Sequence, residues 1–270
     1  MSKDKYILTI SIVLYNQNIS MVDNLLTCIN RITIKYRVYI IDNSNTNIFS
    51  TYNFQKNIVY VKTNKNVGFG AGHNIAIHKV KDISNYHLIL NPDITFENAV
   101  IENLIHKLSI NINFGIVMPK ILYPNKSLQI CAKLLPSPFD LITRRLYPKS
   151  KYLNNYELRS YKYDKIIEAP FLSGCFMLCR TEVLSKLGGF DDKLFLYMED
   201  VDLCRRINLN GFKTIVDPFE YVIHDHEYKS LMISNTLKLF LKSAFYYFNK
   251  WGWFLDNDRK ILNKRTLKQF

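Results

Sequence analysis

The chain has 270 residues, long enough for one large domain or two small ones, with a core that needs no disulfide or metal staple. An apolar fraction of 48% beside 22% charged residues excludes a disordered, collagenous or coiled-coil chain. Thirty-six basic against 23 acidic residues leave a net charge of +13, which points to an anionic partner: nucleic acid, a lipid surface or a phosphorylated substrate.

The opening run Ile7 to Leu14 is β-branched and apolar, and reads as a strand buried on both faces rather than as a signal peptide. A helix is expected over Ser20 to Ile29, where Met21, Leu25, Leu26 and Ile29 share a face and Ser20 can cap. Tyr36 to Ile41 and Asn57 to Lys62 read as strands, Asn74 to Lys81 as a helix, and Tyr86 to Leu90 as a strand. This alternation defines an α/β domain with a mainly parallel, Rossmann-like sheet flanked by helices. In such sheets ligands bind at the carboxyl ends of the strands. Here those ends carry Tyr15-Asn16, Asp42-Asn43-Ser44, Asn64 to Asn66 and Asn91-Pro92-Asp93, all polar and all expected along one edge.

Residues 120–165 hold ten lysines and arginines against three acids and read as a basic, mobile excursion from the sheet. Regular structure is expected again over Phe171 to Cys179, with helices near Thr181 to Leu187 and Asp200 to Asn208. Residues 229–270 form a basic, aromatic helical extension, and residues 1–228 the main domain. Lysines among Leu, Phe, Tyr and Trp in that extension suit an anionic membrane surface. No segment is long and apolar enough for a membrane-spanning helix. The five cysteines (Cys28, Cys131, Cys175, Cys179 and Cys204) lack zinc-site spacing and read as reduced thiols.

Several short patterns could carry chemistry, and each has a plainer structural explanation. No glycine follows the first strand, so a dinucleotide fingerprint is excluded. Asp42 can accept hydrogen bonds from a base or ribose, or simply form a turn. Asn66 to Asn74, with Gly68, Gly70 and Gly72, offers close backbone approach to an anion, or a glycine-rich cap. Asn91 and Asp93 can hold Mg²⁺ or Mn²⁺, or shape an Asn-Pro-Asp turn. Glu199, Asp200 and Asp202 can supply a general base, or stabilise a helix start. In His224-Asp225-His226 one imidazole can turn toward a metal or diphosphate, and either can be a surface or core residue.

The ordered series is more specific than its members. Tyr15-Asn16, Asp42-Asn43-Ser44, Asn66-x-Gly-Phe-Gly, Asn91-Pro92-Asp93, Ser173-Gly174-Cys175, Gly188-Gly189-Phe190-Asp191, Tyr197-x-Glu199-Asp200-x-Asp202 and Ile223-His224 occur in sequence. Together they resemble the family-2 glycosyltransferases of the rhamnosyltransferase-like branch, over residues 7 to about 230. The resemblance implies a GT-A fold and single-displacement, inverting transfer from a nucleotide-diphosphate sugar, aided by a divalent cation. The first donor it implies is dTDP-L-rhamnose, with UDP-hexoses next. Its acceptor would be a saccharide or lipid-linked saccharide of bacterial surface-polysaccharide assembly, which places the protein in the cytoplasm on the inner face of the membrane. It implies nucleotide contacts at Tyr15, Asp42, Asn66 and Gly70, and a metal site at Asp93, Asn91 and His224. The catalytic base would be Asp200, or Glu199. Asp202 and His226 are acceptor-side or diphosphate candidates. Asn91 stands where many relatives carry a second aspartate. Two other readings compete. A nucleotidyltransferase uses a similar fold and releases pyrophosphate. A nucleic-acid-binding module fits the charge, but no motif for it is present and Glu199 to Asp202 interrupts any basic face.

Overall fold

In the computed structural model, which describes residues 5–97, 99–225 and 234–270, the chain begins β1 (Tyr6–Leu14), α1 (Ile19–Ile29), β2 (Tyr36–Asp42), β3 (Ile58–Lys62), α2 (Phe69–Val80), β4 (Ser84–Leu90), β5 (Ile94–Thr95) and α3 (Val100–Ile110). It continues through β6 (Phe114–Leu122), β7 (Ala132–Lys133), α4 (Pro138–Leu146), α5 (Leu153–Tyr156), β8 (Ile167–Glu168), β9 (Phe171–Leu172) and β10 (Phe176–Arg180). It closes with α6 (Thr181–Leu187), α7 (Glu199–Leu209), β11 (Lys213–His224), α8 (Ser234–Trp251) and α9 (Asn257–Leu267).

The main sheet runs in the order β3-β2-β1-β4-β10-β6-β11-β5, with β8 pairing β11, and β7 and β9 form a separate ribbon. The first four strands are mutually parallel. Strand β10 is antiparallel to both β4 and β6, and β6 is parallel to β11. Only β10 among these long strands is reversed, so its start lies at the same edge as the ends of its neighbours: Phe176 is opposite Leu90. That edge therefore collects Asp42, the turn after Leu90, Ser173 to Cys175, and His224.

Residues Leu8 to Ile12 of β1 are all buried, as a strand covered on both faces requires. One face also carries a polar string. Ser11 Oγ lies 2.6 Å from His73 Nδ1 and 2.9 Å from His87 Nε2, and Thr9 Oγ1 lies 2.8 Å from His87 Nδ1. Burial holds the His87 pKa down to about 3 and that of His73 well below its ordinary value, so both imidazoles are neutral struts between sheet and α2.

Helix α1 starts at Ile19 because Asn18, not Ser20, is its cap: the Asn18 side chain accepts from Met21 N at 2.8 Å, and Ser20 Oγ donates to it. Helix α2 starts five residues before the expected Asn74. Its glycines lie inside it and serve packing, since a Cβ on Gly70 would stand 2.8 Å from Phe190 Cβ and one on Gly72 2.8 Å from Val13 Cγ2.

Residues 120–165 are packed rather than loose. Leu134, Leu135, Leu153, Tyr156, Leu158 and Tyr161 are buried, and Glu157 ties Arg144 to Arg159. Where described, the stretch over 229–270 forms α8 and α9 joined by a turn, and it shares a second core. Ala244, Tyr247, Phe248 and Leu262 pack with Leu135, Phe171, Leu194, Met198 and Val201. The five cysteines are free and buried. Among the described residues no helix is long and apolar enough to cross a membrane.

Candidate active site

At the end of β11, His224 Nε2 lies 3.1 Å from Asp93 Oδ1, and Asn91 Nδ2 approaches the same nitrogen at 3.4 Å. The other ring nitrogen, Nδ1, is 2.9 Å from Gln129 Oε1. The imidazole is thus oriented from both sides, Nδ1 by Gln129 and Nε2 by Asp93 and Asn91. Asp93 is held in place through its backbone, whose carbonyl accepts from Asp225 N at 2.9 Å. The three residues named for a metal site are thus brought together, with Gln129 as an orienting partner. Among the described residues no group of three His, Cys, Asp or Glu side chains converges as a metal cluster.

The acidic pair enters from α7. Tyr197 and Met198, which precede it, both have positive φ, at 68° and 66°. Two successive non-glycine residues in this region are costly and need a surrounding structure that enforces them. The turn sends the two carboxylates different ways. Glu199 is 5% exposed, and its Oε2 has no hydrogen-bond partner among the described residues. Burial and the neighbouring Asp200 push its pKa well above the ordinary range. Asp200 is partly exposed, and its oxygens accept from Gly174 N at 3.0 Å and Val201 N at 2.8 Å. Burial raises its pKa, while those two amides and the charge of Lys133 draw it back. Gly174 is small for a reason: a Cβ there would meet the Phe69 ring at 3.1 Å and Asp200 Cβ at 3.5 Å.

Lys133, one of ten bases in its segment, does not stand out in the sequence, and neither do Gln129 and Lys62. Lys133 lies on β7, paired with Phe171 on β9, with its ammonium 5.2 Å from the Phe171 ring centroid. Burial lowers its pKa to about 8, helped by Arg144 and opposed by Cys131, Glu157 and Asp200.

Other expected contacts are placed differently. Asp42 is fully buried: Ser44 N, Tyr60 OH and Lys62 Nζ donate to it at 2.9, 2.7 and 3.0 Å. Burial would raise its pKa, but these bonds outweigh it and the pKa falls. Its carboxylate is therefore covered by Lys62 rather than presented at the edge, and the exposed group there is Tyr15. Asn66 accepts from Gly68 N at 2.9 Å, closing the turn into α2, and Gly70 faces Phe190. Asp202, an acceptor-side or diphosphate candidate, is turned into the protein. It is fully buried and binds Arg206 Nε, Lys250 Nζ and Trp251 Nε1 at 2.7, 2.7 and 2.8 Å, joining α7 to α8. The Gly188-Gly189-Phe190 motif is a clamp, since Asn74 accepts from Phe190 N at 2.8 Å and donates to Phe190 O at 2.9 Å. His226 lies outside the described residues.

The chain belongs to the glycosyltransferase-like family 2, whose model matches residues 16–239. Among its relatives is the N-acetylglucosaminyl-diphospho-decaprenol L-rhamnosyltransferase of Mycobacterium tuberculosis, 26% identical over 183 residues. That alignment covers 62% of this chain and 59% of the relative, so the chain matches about three fifths of that protein's length. The rhamnosyltransferase WbbL of Escherichia coli K12 is 28% identical over 67% of this chain and 69% of its own. A low-salt glycan biosynthesis hexosyltransferase, Agl10 of Haloferax volcanii, is 24% identical over 75% of this chain and 63% of its own. The fold is GT-A-like. It superposes on GalNAc-T7, solved with UDP, GalNAc and Mn²⁺, with a TM-score of 0.63 at 14% identity over 85% of this chain and 46% of that one. The mannosyltransferase PcManGT of Pyrobaculum calidifontis, solved with GDP-Man and Mn²⁺, gives 0.58 at 15% identity over 84% of this chain and 59% of that one.

Proposed function

We propose that the chain is an inverting glycosyltransferase that moves L-rhamnose from dTDP-L-rhamnose to a hydroxyl of a lipid-linked saccharide. The observation that carries this reading is the pair of carboxylates at one sheet edge. Asp93 faces His224 on one side, and Asp200 is fixed by Gly174 N and Val201 N on the other. The two rhamnosyltransferase relatives support the sugar, and the decaprenol-diphospho substrate in one name supports the lipid-linked acceptor. A UDP-hexose donor is the second reading, supported by the hexosyltransferase relative. With such an acceptor the protein works at the cytoplasmic face of the membrane.

Inversion needs one displacement. Asp200 takes the proton of the acceptor hydroxyl, whose oxygen bonds to the anomeric carbon as the carbon–oxygen bond to the nucleoside diphosphate breaks. The electron pair of that bond leaves with the diphosphate. Asp200 suits the role better than Glu199 because it is reachable and its amide donors favour its ionised form against the effect of burial, whereas Glu199 is buried and favours its neutral form. Asp93, Asn91 and His224 lie together at this edge, and their oxygen and imidazole donors would hold a Mg²⁺ or Mn²⁺ ion. Such an ion neutralises charge on the leaving diphosphate. Tyr15 borders the nucleotide end, with the Asp42–Lys62 pair beneath it.

Asp200→Asn should lower kcat by roughly 10²- to 10⁴-fold, the usual worth of a general base, while donor affinity by calorimetry stays within about threefold. Wild-type turnover in that variant, or donor affinity falling as far as turnover, would remove Asp200 from this role.

A further inference from the structure

Helix α4 is amphipathic the wrong way round for a helix that only packs on its own domain. Ser137 caps it, with Asp140 closing the capping box and Pro138 in its first turn, so its start is firmly set. Yet Phe139, Ile142 and Leu146, spaced three and four residues apart on one face, are each more than half exposed, and Pro138 is its only buried residue. The apolar surface continues beyond the helix. The Phe139 ring lies 5.9 Å from Phe254, whose neighbour Leu255 is 90% exposed. Trp253, next in this turn, lies 5.5 Å from Phe245 on α8, which is also more than half exposed. Helix α4 and, far along the chain, α8 with the turn that follows it thus build one apolar ridge, larger than scattered surface side chains would give.

The exposed charge around the ridge is predominantly positive. Arg145, Lys149 and Lys151 are exposed at or just beyond the end of α4. The nearby acids are turned inward: Asp140 caps α4, Glu157 pairs with Arg144 and Arg159, and Asp256 pairs with Arg205. Asp258, half exposed and 3.7 Å from Arg205, is the remaining acid of the turn into α9. Exposed Tyr147 and Tyr152 follow the helix, as aromatic side chains do at a lipid headgroup boundary.

We infer that α4 and the 253–255 turn form a monotopic docking surface for an anionic lipid bilayer, with the apolar ridge entering the interface and the basic rim on the headgroups. This relocates the membrane contact from the lysines of the C-terminal extension alone to a composite surface centred on α4. The ridge also adjoins the site. Leu135, just before α4, shares a core with Met198 and Val201, which flank Glu199 and Asp200. A lipid-borne acceptor is thereby presented from the side of the catalytic base. That purpose rests on the proposed function, whereas docking itself does not.

The test is co-sedimentation of the full chain, without donor or acceptor, with vesicles of phosphatidylcholine containing phosphatidylglycerol. The protein should bind these at low salt and lose binding as salt rises. Phe139→Ser/Phe254→Ser/Leu255→Ser should weaken partitioning by about tenfold or more. Arg145→Glu/Lys149→Glu should weaken it several-fold, and Ile112→Ser, at an exposed residue outside the ridge, should leave it unchanged. If the triple variant melts early, Leu255→Ser alone gives the same direction of change. The inference is overturned if wild-type protein stays in the supernatant, or if the ridge variants bind as wild type. It is also overturned if sedimentation velocity shows that the ridge variants dissociate a dimer while vesicle binding is unaltered, because a second copy of the chain would then be the occupant. Transfer to a soluble acceptor analogue, measured separately, reports on the proposed function without involving the ridge.

Discussion

Lys133 and Asp200 come from segments 67 residues apart, and their mutual influence exists only because β7 pairs with β9 just before the Gly174 amide that holds Asp200. Burial raises the Asp200 pKa and lowers that of Lys133, while each charge favours the other. The acid limb of kcat should therefore lie above the ordinary aspartate range, since the base must be ionised. Replacing Lys133 by Met removes a charge that favours the carboxylate, so the limb should move further up, by about one pH unit or less. A pH–rate profile of nucleoside diphosphate release checks this, and an unmoved limb would mean that Lys133 does not act on the base. Asp93, Asp200 and His224 were legible in the sequence because each sits at a strand end or helix start that hydrophobic patterning reveals. Lys133, Gln129 and Lys62 were not, because what they touch depends on strand pairing and loop packing. Asp42 and Asp202 had the right residue type in the right motif, but both carboxylates are buried and paired with neighbouring cations. The glycines of α2 misled for a related reason: the contacts that require them, Phe190 and Val13, lie far off in the chain.

At the scale of elements, α7 carries the candidate base and is gripped from behind by the C-terminal helices. Arg205, 1% exposed, makes paired bonds of 2.7 and 2.6 Å to Asp256, the cap of α9, and its guanidinium stacks 4.3 Å from the Trp251 ring centroid. Removing one partner of a buried pair leaves a desolvated charge, which costs about 3–5 kcal/mol. Asp256→Ala should lose about 3 kcal/mol, toward the low end because Asp258 is close enough to compensate in part. Denaturant unfolding measures this, and a loss below about 1 kcal/mol would show that the grip is weak. The extension at 229–270 was legible as helical, basic and aromatic. That it completes a core with residues 135–201 was not, since the pairing of its apolar face is a tertiary fact.

For the whole molecule, the parallel half of the sheet followed from alternating strand and helix signals, and with it the edge that carries the candidate site. The reversal at β10 was hidden, because a buried run of Phe, Met, Leu and Cys has no direction in a sequence. That reversal brings Ser173 to Cys175 onto the same edge, so that the Gly174 amide meets Asp200 on the surface that also holds Asp93. The reaction proposed for this edge is sugar transfer with inversion. Its most direct test is to incubate wild-type protein with dTDP-L-rhamnose or a UDP-hexose, Mn²⁺ and a lipid-linked saccharide, and to analyse both products. The account predicts one nucleoside diphosphate released per sugar transferred, with NMR showing the anomeric configuration opposite to that of the donor. Pyrophosphate as the released product, or a retained configuration, would contradict it.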